Sequence, residues 1–180
     1  ESEVVVPAFS FFASAGVVQR LGARPVFVDI NPQTFNASAD DILAAVTPRT
    51  RAVMPVYLFG QMTDVSPLHS SEHAFAVVED AAQALGSKFK GKNAGTFGHA
   101  SAISFFPAKV LGCFGDGGAI LCQDKTISDR AYQLHDHGRD KNGNVKSWGR
   151  NSRLENLQAA ILNFNLKSYE KVIKRRREIA

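Results

Sequence analysis

The feature that most constrains this chain is a repeating order: a short, continuous apolar run, then a segment of helical character, then another apolar run. Val4-Val5-Val6 leads into a small-residue amphipathic stretch from Ser10 to Leu21, and Val26-Phe27-Val28 follows. Ser38 opens the next helix with Asp41 three residues on, a weaker relative of the capping box. Ala52-Val53-Met54-Pro55-Val56-Tyr57 is a third run, and Ser66-Pro67 places an N-cap and a first-turn proline before another helix. Ala76-Val77-Val78, then Ala102 to Phe106, then Ala119-Ile120-Leu121-Cys122 complete the series. Runs that are apolar throughout, rather than on alternate residues, are what strands show when helices cover both faces of a sheet. The order predicts an α/β fold on a mainly parallel sheet. In such sheets ligands gather at the carboxyl ends of the strands, so polar residues there are the first candidates for chemistry.

The bulk numbers narrow the setting. At 180 residues the chain suits one domain with a real core. It is 44% hydrophobic and 21% charged, ordinary for a globular protein, with no low-complexity tract. No apolar run approaches a membrane span and no signal peptide stands at the start. Cys113 and Cys122 make no disulfide framework, so the expected setting is cytoplasmic, with no membrane partner. The formal charge of +4 is concentrated at Lys167, Lys171, Lys174, Arg175, Arg176 and Arg177. Without interleaved aromatics this reads as the solvated face of a terminal helix, and no nucleic-acid partner is expected. That helix is announced by Ser152-Arg153-Leu154-Glu155, a capping box, with Leu154, Leu157, Ile161 and Phe164 at helical spacing behind it.

Two short segments carry the chemistry. Val77-Val78-Glu79-Asp80-Ala81-Ala82-Gln83 ends an apolar run on an acid. Ser104-Phe105-Phe106-Pro107-Ala108-Lys109 ends another on an amine, just before the glycine-rich Gly112–Gly118 stretch. An acid to hold a protonated pyridine nitrogen and a lysine to form an imine are what pyridoxal phosphate asks of a protein. Asp80 alone also reads as the cap of a following helix. An isolated lysine is ordinarily a surface residue, but Lys109 follows an apolar strand and precedes glycines. Its role requires a neutral amine, which desolvation or nearby positive charge favours. The Ser104 hydroxyl suits a phosphate. The glycine stretch fits neither a dinucleotide fingerprint nor a Walker loop and predicts a tight turn into the strand at Ala119. His135-Asp136-His137 lacks the further ligands of a metal site, and no metal is expected.

Taken together the chain resembles the sugar-nucleotide aminotransferases of the DegT/DnrJ/EryC1 type, within the aspartate-aminotransferase fold (fold type I). The resemblance runs from Val4-Val5-Val6-Pro7-Ala8-Phe9-Ser10-Phe11 through Pro25-Val26-Phe27-Val28-Asp29 and Pro55-Val56-Tyr57-Leu58-Phe59-Gly60-Gln61. It continues through Glu79–Gln83 and the Lys109 segment to Asn151-Ser152-Arg153-Leu154-Glu155-Asn156-Leu157-Gln158-Ala159-Ala160. It implies that Lys109 is the imine-forming lysine, that Asp80 pairs with the pyridine nitrogen and that Gln83 lies near the 3-hydroxyl. It implies Phe11 as the ring stacked on the cofactor, with Phe9 or Phe12 as the choice under another register. Ser104 becomes a phosphate ligand, and Asn151 reaches the cofactor phosphate of a second subunit, so the active sites of a homodimer are shared. The implied reaction moves an amine from an amino acid, typically glutamate, to a keto group on a nucleotide-linked sugar. A related branch with histidine at the lysine position performs dehydration, and Lys109 favours transamination.

The resemblance also has gaps. Glu1 falls inside an early strand of the family, whose upstream glycine-threonine phosphate loop is absent, and the chain ends within the 152–180 helix that leads to a small C-terminal domain. The expectation is therefore a partial pyridoxal phosphate-binding large domain, truncated at both ends. A fragment that keeps the fold without activity, acting as a structural or self-associating module, is the alternative. Tyr57 stands where many relatives carry histidine.

Overall fold

The computed structural model describes residues 1–70 and 72–179. It divides into two compact units, Glu1–Ile103 and Ser104–Ala180, where length alone predicts one domain. The elements of the first follow the predicted alternation: β1 (Glu3–Pro7), α1 (Ala13–Arg20), β2 (Arg24–Val28), α2 (Ala39–Ala44), β3 (Thr50–Val53), β4 (Ala76–Asp80), a two-stranded hairpin of β5 (Lys88–Phe89) and β6 (Lys92–Asn93), and β7 (Ala100–Ser104). The main strands lie in the order β2-β1-β3-β4-β7, and each neighbouring pair is parallel. Val5, Val6, Val53 and Val77 are wholly buried, so apolar β1, β3 and β4 are the centre of the core.

The amino ends of the strands are laced by one acid. Glu3, fully buried at the start of β1, accepts from Arg24 at the start of β2 (2.6 Å), from Arg49 just before β3 (2.6 and 2.9 Å) and from the Thr47 hydroxyl (2.5 Å). The Thr47 hydrogen bond, then those of the two guanidinium groups, hold the Glu3 carboxyl down at about 2. With these ends tied, the carboxyl ends are left for other work.

Local chemistry explains where elements start and stop. Ser38 Oγ accepts from the Asp41 N–H (3.1 Å) and donates to its carboxylate (2.5 Å), the reciprocal cap read from the sequence. The third apolar run does not stay a strand: Pro55 has no N–H to give, and β3 stops at Val53. The predicted helix at Ser66 is a single 3-10 turn, Ser66–His69, preceded by Asp64, whose carboxylate accepts from the Ser66 N–H (2.9 Å).

The second unit contains β8 (Gly118–Leu121), α3 (Lys125–His135), α4 (Asn156–Leu166) and α5 (Tyr169–Ile179). The Gly112–Gly118 stretch turns into β8 as expected. Helix α3 went unpredicted, although Asp124 caps it on the Thr126 and Ile127 N–H groups (2.6 and 3.2 Å). The expected 152–180 helix needs correction. The Ser152 N–H donates to the His135 carbonyl (2.9 Å), which keeps residue 152 out of a helix, and α4 begins only after Glu155, with no side-chain cap. The run then breaks at Lys167 and Ser168, where i→i−3 bonds and the Ser168 hydroxyl take up the last carbonyls of α4. Nor is the apolar stripe buried. Leu157 and Phe164 are 70% and 71% exposed, and the buried residue of α4 is Leu162.

Candidate active site

Asp80 is the last residue of β4, at a carboxyl end. Its backbone is held from both sides. On one, Asp80 lies opposite Ala102 of β7, and the Ala81 N–H donates to the Ala102 carbonyl (3.0 Å). On the other, the chain after Pro55 resumes pairing: the Asp80 N–H donates to the Pro55 carbonyl (2.9 Å) and the Tyr57 N–H to the Asp80 carbonyl (3.0 Å). Alternation along β4 separates its two acids. Glu79 points inward, fully buried, and accepts from the N–H groups of Gly95, Phe97 and Gly98 (2.9, 2.7 and 2.5 Å). It is a structural anion that shapes the 95–98 loop. Asp80, on the other face, is half-buried.

The side chain of Asp80 caps no helix, since β5 is the next element. Its Oδ1 accepts from the Ala82 N–H (3.2 Å) and its Oδ2 from the Ser14 hydroxyl (2.7 Å). Ser14 has one proton and gives it to Asp80, so in the 3.0 Å contact between Ser10 and Ser14 the donor is Ser10. Each carboxylate oxygen keeps a lone pair for a further donor. Ser14, buried on α1, was missed by the sequence reading, and its four-residue spacing from Ser10 was the available signal.

Gln83 is oriented by strain nearby. Phe59 adopts a left-handed conformation (φ 58°), unusual for an aromatic residue, and its N–H donates to Gln83 Oε1 (2.8 Å). With the carbonyl oxygen engaged, the Gln83 NH2 is left as a donor. The Asn36 carboxamide braces the same segment, accepting from the Leu58 N–H (3.0 Å) and donating to the Gln61 carbonyl (2.7 Å). Of the three candidate phenylalanines, Phe9 pairs with the Phe35 ring at 6.2 Å and Phe12 lies against Gly16. Phe11 is 71% exposed with no ring partner among the described residues. Tyr57 is wholly buried, and its hydroxyl has no hydrogen-bond partner among the described residues. Burial first, and then the charge of Glu79, push its phenol well above the usual range.

The remaining candidates belong to the second unit. Ser104 Oγ accepts from the Phe106 N–H (3.2 Å), leaving its proton to donate. Lys109 sits in a turn closed by its own N–H on the Phe106 carbonyl (2.8 Å). It is half-buried, and among the described residues no carboxylate pairs with its amine. A cleft of about 250 Å³ beside it is lined by Lys109, Cys113, Asn165, Ser168 and Tyr169, among others. Asn151 lies exposed, bridged antiparallel to Asp136, and its Oδ1 accepts from Arg153 Nε (3.1 Å). Asp80 and Gln83 are thus tied together through residues 57–59 of the first unit, while Ser104, Lys109 and Asn151 belong to the second.

Taken by type, the first unit offers an acid with spare lone pairs and an amide NH2, and the second a hydroxyl proton and an amine, the functional groups that pyridoxal phosphate requires. The chain matches the DegT/DnrJ/EryC1/StrS aminotransferase family over residues 1–180 and belongs to it. It is 43% identical over 180 residues to the UDP-2-acetamido-2-deoxy-3-oxo-D-glucuronate aminotransferase of Pseudomonas aeruginosa, covering 99% of this chain and 50% of the relative. It is equally identical to a pleiotropic regulatory protein of Geobacillus stearothermophilus, covering 99% of this chain and 48% of that one. Among solved structures, DesV of Streptomyces venezuelae in complex with a ketimine intermediate superposes with a TM-score of 0.89 at 37% identity, over 94% of this chain and 46% of that one. NtdA of Bacillus subtilis, with bound cofactor PMP, gives 0.83 at 36%, over 93% and 39%. The chain spans about half the length of the curated relatives it matches.

Proposed function

We propose that the protein is a pyridoxal 5'-phosphate-dependent aminotransferase that transfers an amine from an amino acid, glutamate in the first instance, to a keto group of a nucleotide-linked sugar. The chain supplies part of its cofactor-binding large domain, with α4 and α5 leading toward a smaller C-terminal domain. Bound in the site, pyridoxal phosphate supplies the carbonyl that exchanges amines and the electron sink that makes the α proton labile. The other tasks fall to the chain. Asp80, its oxygens oriented by Ser14 and Ala82, accepts from the protonated pyridine nitrogen and keeps it protonated. Gln83 donates through its NH2 toward the ring oxygen. Phe11 would lie against the cofactor face, and the Ser104 hydroxyl would donate to its phosphate. Lys109 would hold the cofactor through its amine, and that amine would hold and move the proton at the substrate α carbon.

The observation that carries this reading is the placement of Asp80: a carboxylate at the end of a central parallel strand, fixed through both backbone and side chain, with acceptor capacity left over. The 43% identity to a sugar aminotransferase supports the substrate class. Asn151 completes the reading as a residue for the partner's phosphate in a cytoplasmic homodimer. No helix among the described residues is long and apolar enough to cross a membrane. The test is absorption of the protein mixed with pyridoxal phosphate, followed by borohydride reduction and peptide mapping. A visible band with label on Lys109 is expected, and label scattered over surface lysines overturns the assignment.

A further inference from the structure

The loop that carries Lys109 contains no regular secondary structure, yet an aminotransferase lysine has to be placed to a fraction of an ångström. The legs of the loop are pinned to each other. The Phe105 carbonyl accepts from the Cys113 N–H (2.8 Å) and from its thiol (3.1 Å), and the Phe105 N–H donates to the Gly117 carbonyl (2.8 Å). The loop also closes tightly on itself: a Cβ on Gly112 would stand 2.5 Å from the Pro107 carbonyl oxygen. The peptide groups on either side of Cys113 are taken by one helix. Gln158 binds Phe114 reciprocally, its Oε1 accepting from the Phe114 N–H and its Nε2 donating to the Phe114 carbonyl, both at 2.8 Å. Asn165 donates from Nδ2 to the Gly112 carbonyl at 2.8 Å. Gln158, the buried Leu162 and Asn165 follow the i, i+4, i+7 pattern of a single helical face.

We infer that Gln158 and Asn165 are the positioning residues for Lys109, an amide clamp through which α4 sets the height and direction of the reactive amine. This rests on the reading of Lys109 as the cofactor-bearing lysine. Three observations converge on it. The clamp acts on backbone groups, so it sets the path of the loop whatever its side chains. Asn165 also lines the cleft that Lys109 lines. And α4 presents its large apolar residues Leu157 and Phe164 to the outside while these two carboxamides make its hydrogen bonds to the loop. A helix kept only for packing would have the reverse arrangement.

The test uses the full-length protein with Gln158→Met, Asn165→Leu and Gln158→Glu. Hydrogen exchange reads the Phe114 amide without any cofactor, and borohydride trapping of pyridoxal phosphate on Lys109 is followed in rate. Gln158→Met is expected to lose protection at Phe114 and to slow capture roughly tenfold, the scale of a reacting group held less than 1 Å out of place. A purely structural role would lower the melting temperature and leave the capture rate of the folded protein unmoved. Gln158→Glu keeps the acceptor for the Phe114 N–H but not the donor, and should fall between native and Met. It also stands in if the Met variant fails to fold. Native protection at Phe114 and native capture rate in Gln158→Glu and Asn165→Leu overturn the clamp alone. Absence of label on Lys109 in the unsubstituted protein overturns the lysine assignment and this inference with it.

Discussion

Asp80 and Lys109 carry the two halves of the proposed chemistry and are held by opposite means. Asp80 stands at the end of a strand, with backbone pairing to β7 on one side and to the 55–57 segment on the other. Its side chain is settled by two hydrogen bonds, one from the nearby Ala82 N–H and one from Ser14 on α1. Lys109 stands in a loop, and its placement depends on glycines that allow close approach and on carboxamides reaching from a helix far along the chain. A strand holds a residue through the periodic backbone, and most substitutions around it are tolerated. A loop holds a residue through particular side chains, and each is a point of failure.

Predictions follow that contrast in order of size. Lys109→Ala should abolish the borohydride-trapped cofactor entirely while shifting the melting temperature by no more than about 2 °C, because the side chain makes no ion pair among the described residues and lies outside the core. A large loss of stability would show that Lys109 is structural. Asp80→Asn should leave trapping on Lys109 intact and lower transamination by at least about a hundredfold, since an amide cannot hold the ring nitrogen protonated. Normal turnover in that variant would remove Asp80 from the site.

Smaller effects separate the two kinds of support. Gly112→Ala should destabilise the second unit by about 2–3 kcal/mol in urea unfolding and impair cofactor capture, because its Cβ meets a backbone carbonyl that cannot swing away. Ser14→Ala in the first unit should cost about 1.5–2 kcal/mol, the low end for a hydrogen bond to a charged group, and leave capture by Lys109 unchanged. If Ser14→Ala harmed capture as much as Gly112→Ala, the distinction between strand and loop support would fail. The smallest effect is in acid. Glu3 is held at about 2, below its ordinary 4.5, so its contribution is complete above 4.5 and lost as pH falls toward 2. Unfolding followed against pH should show this limb in the native protein and lose it in Glu3→Gln.

Much of the first unit was legible before any coordinates. Continuous apolar runs such as Val4-Val5-Val6 and Val77-Val78 can be satisfied only between covered neighbours, so they marked the strands, and the residue after such a run had to lie at a strand's end. That reasoning reached Asp80 and the Ser38 cap. It failed where a residue's local preference competed with a partner distant in sequence. Ser152 has the signature of a cap, but its N–H belongs to the His135 carbonyl. Leu157 and Phe164 have the spacing of a buried face and stay exposed, while Gln158 and Asn165 dock the helix.

What the sequence determined by itself was the class of fold and the residues whose functional groups suit the proposed chemistry, because both depend on short patterns of polarity and on functional groups that only a few side chains carry. What only the tertiary structure decided was orientation: which oxygen of Asp80 takes the Ser14 proton, which end of the Gln83 amide is free, and which helix steadies Lys109. Hydrogen bonds are directional and here join residues as far apart as 24, 44, 53 and 66 positions, a separation that no local pattern records.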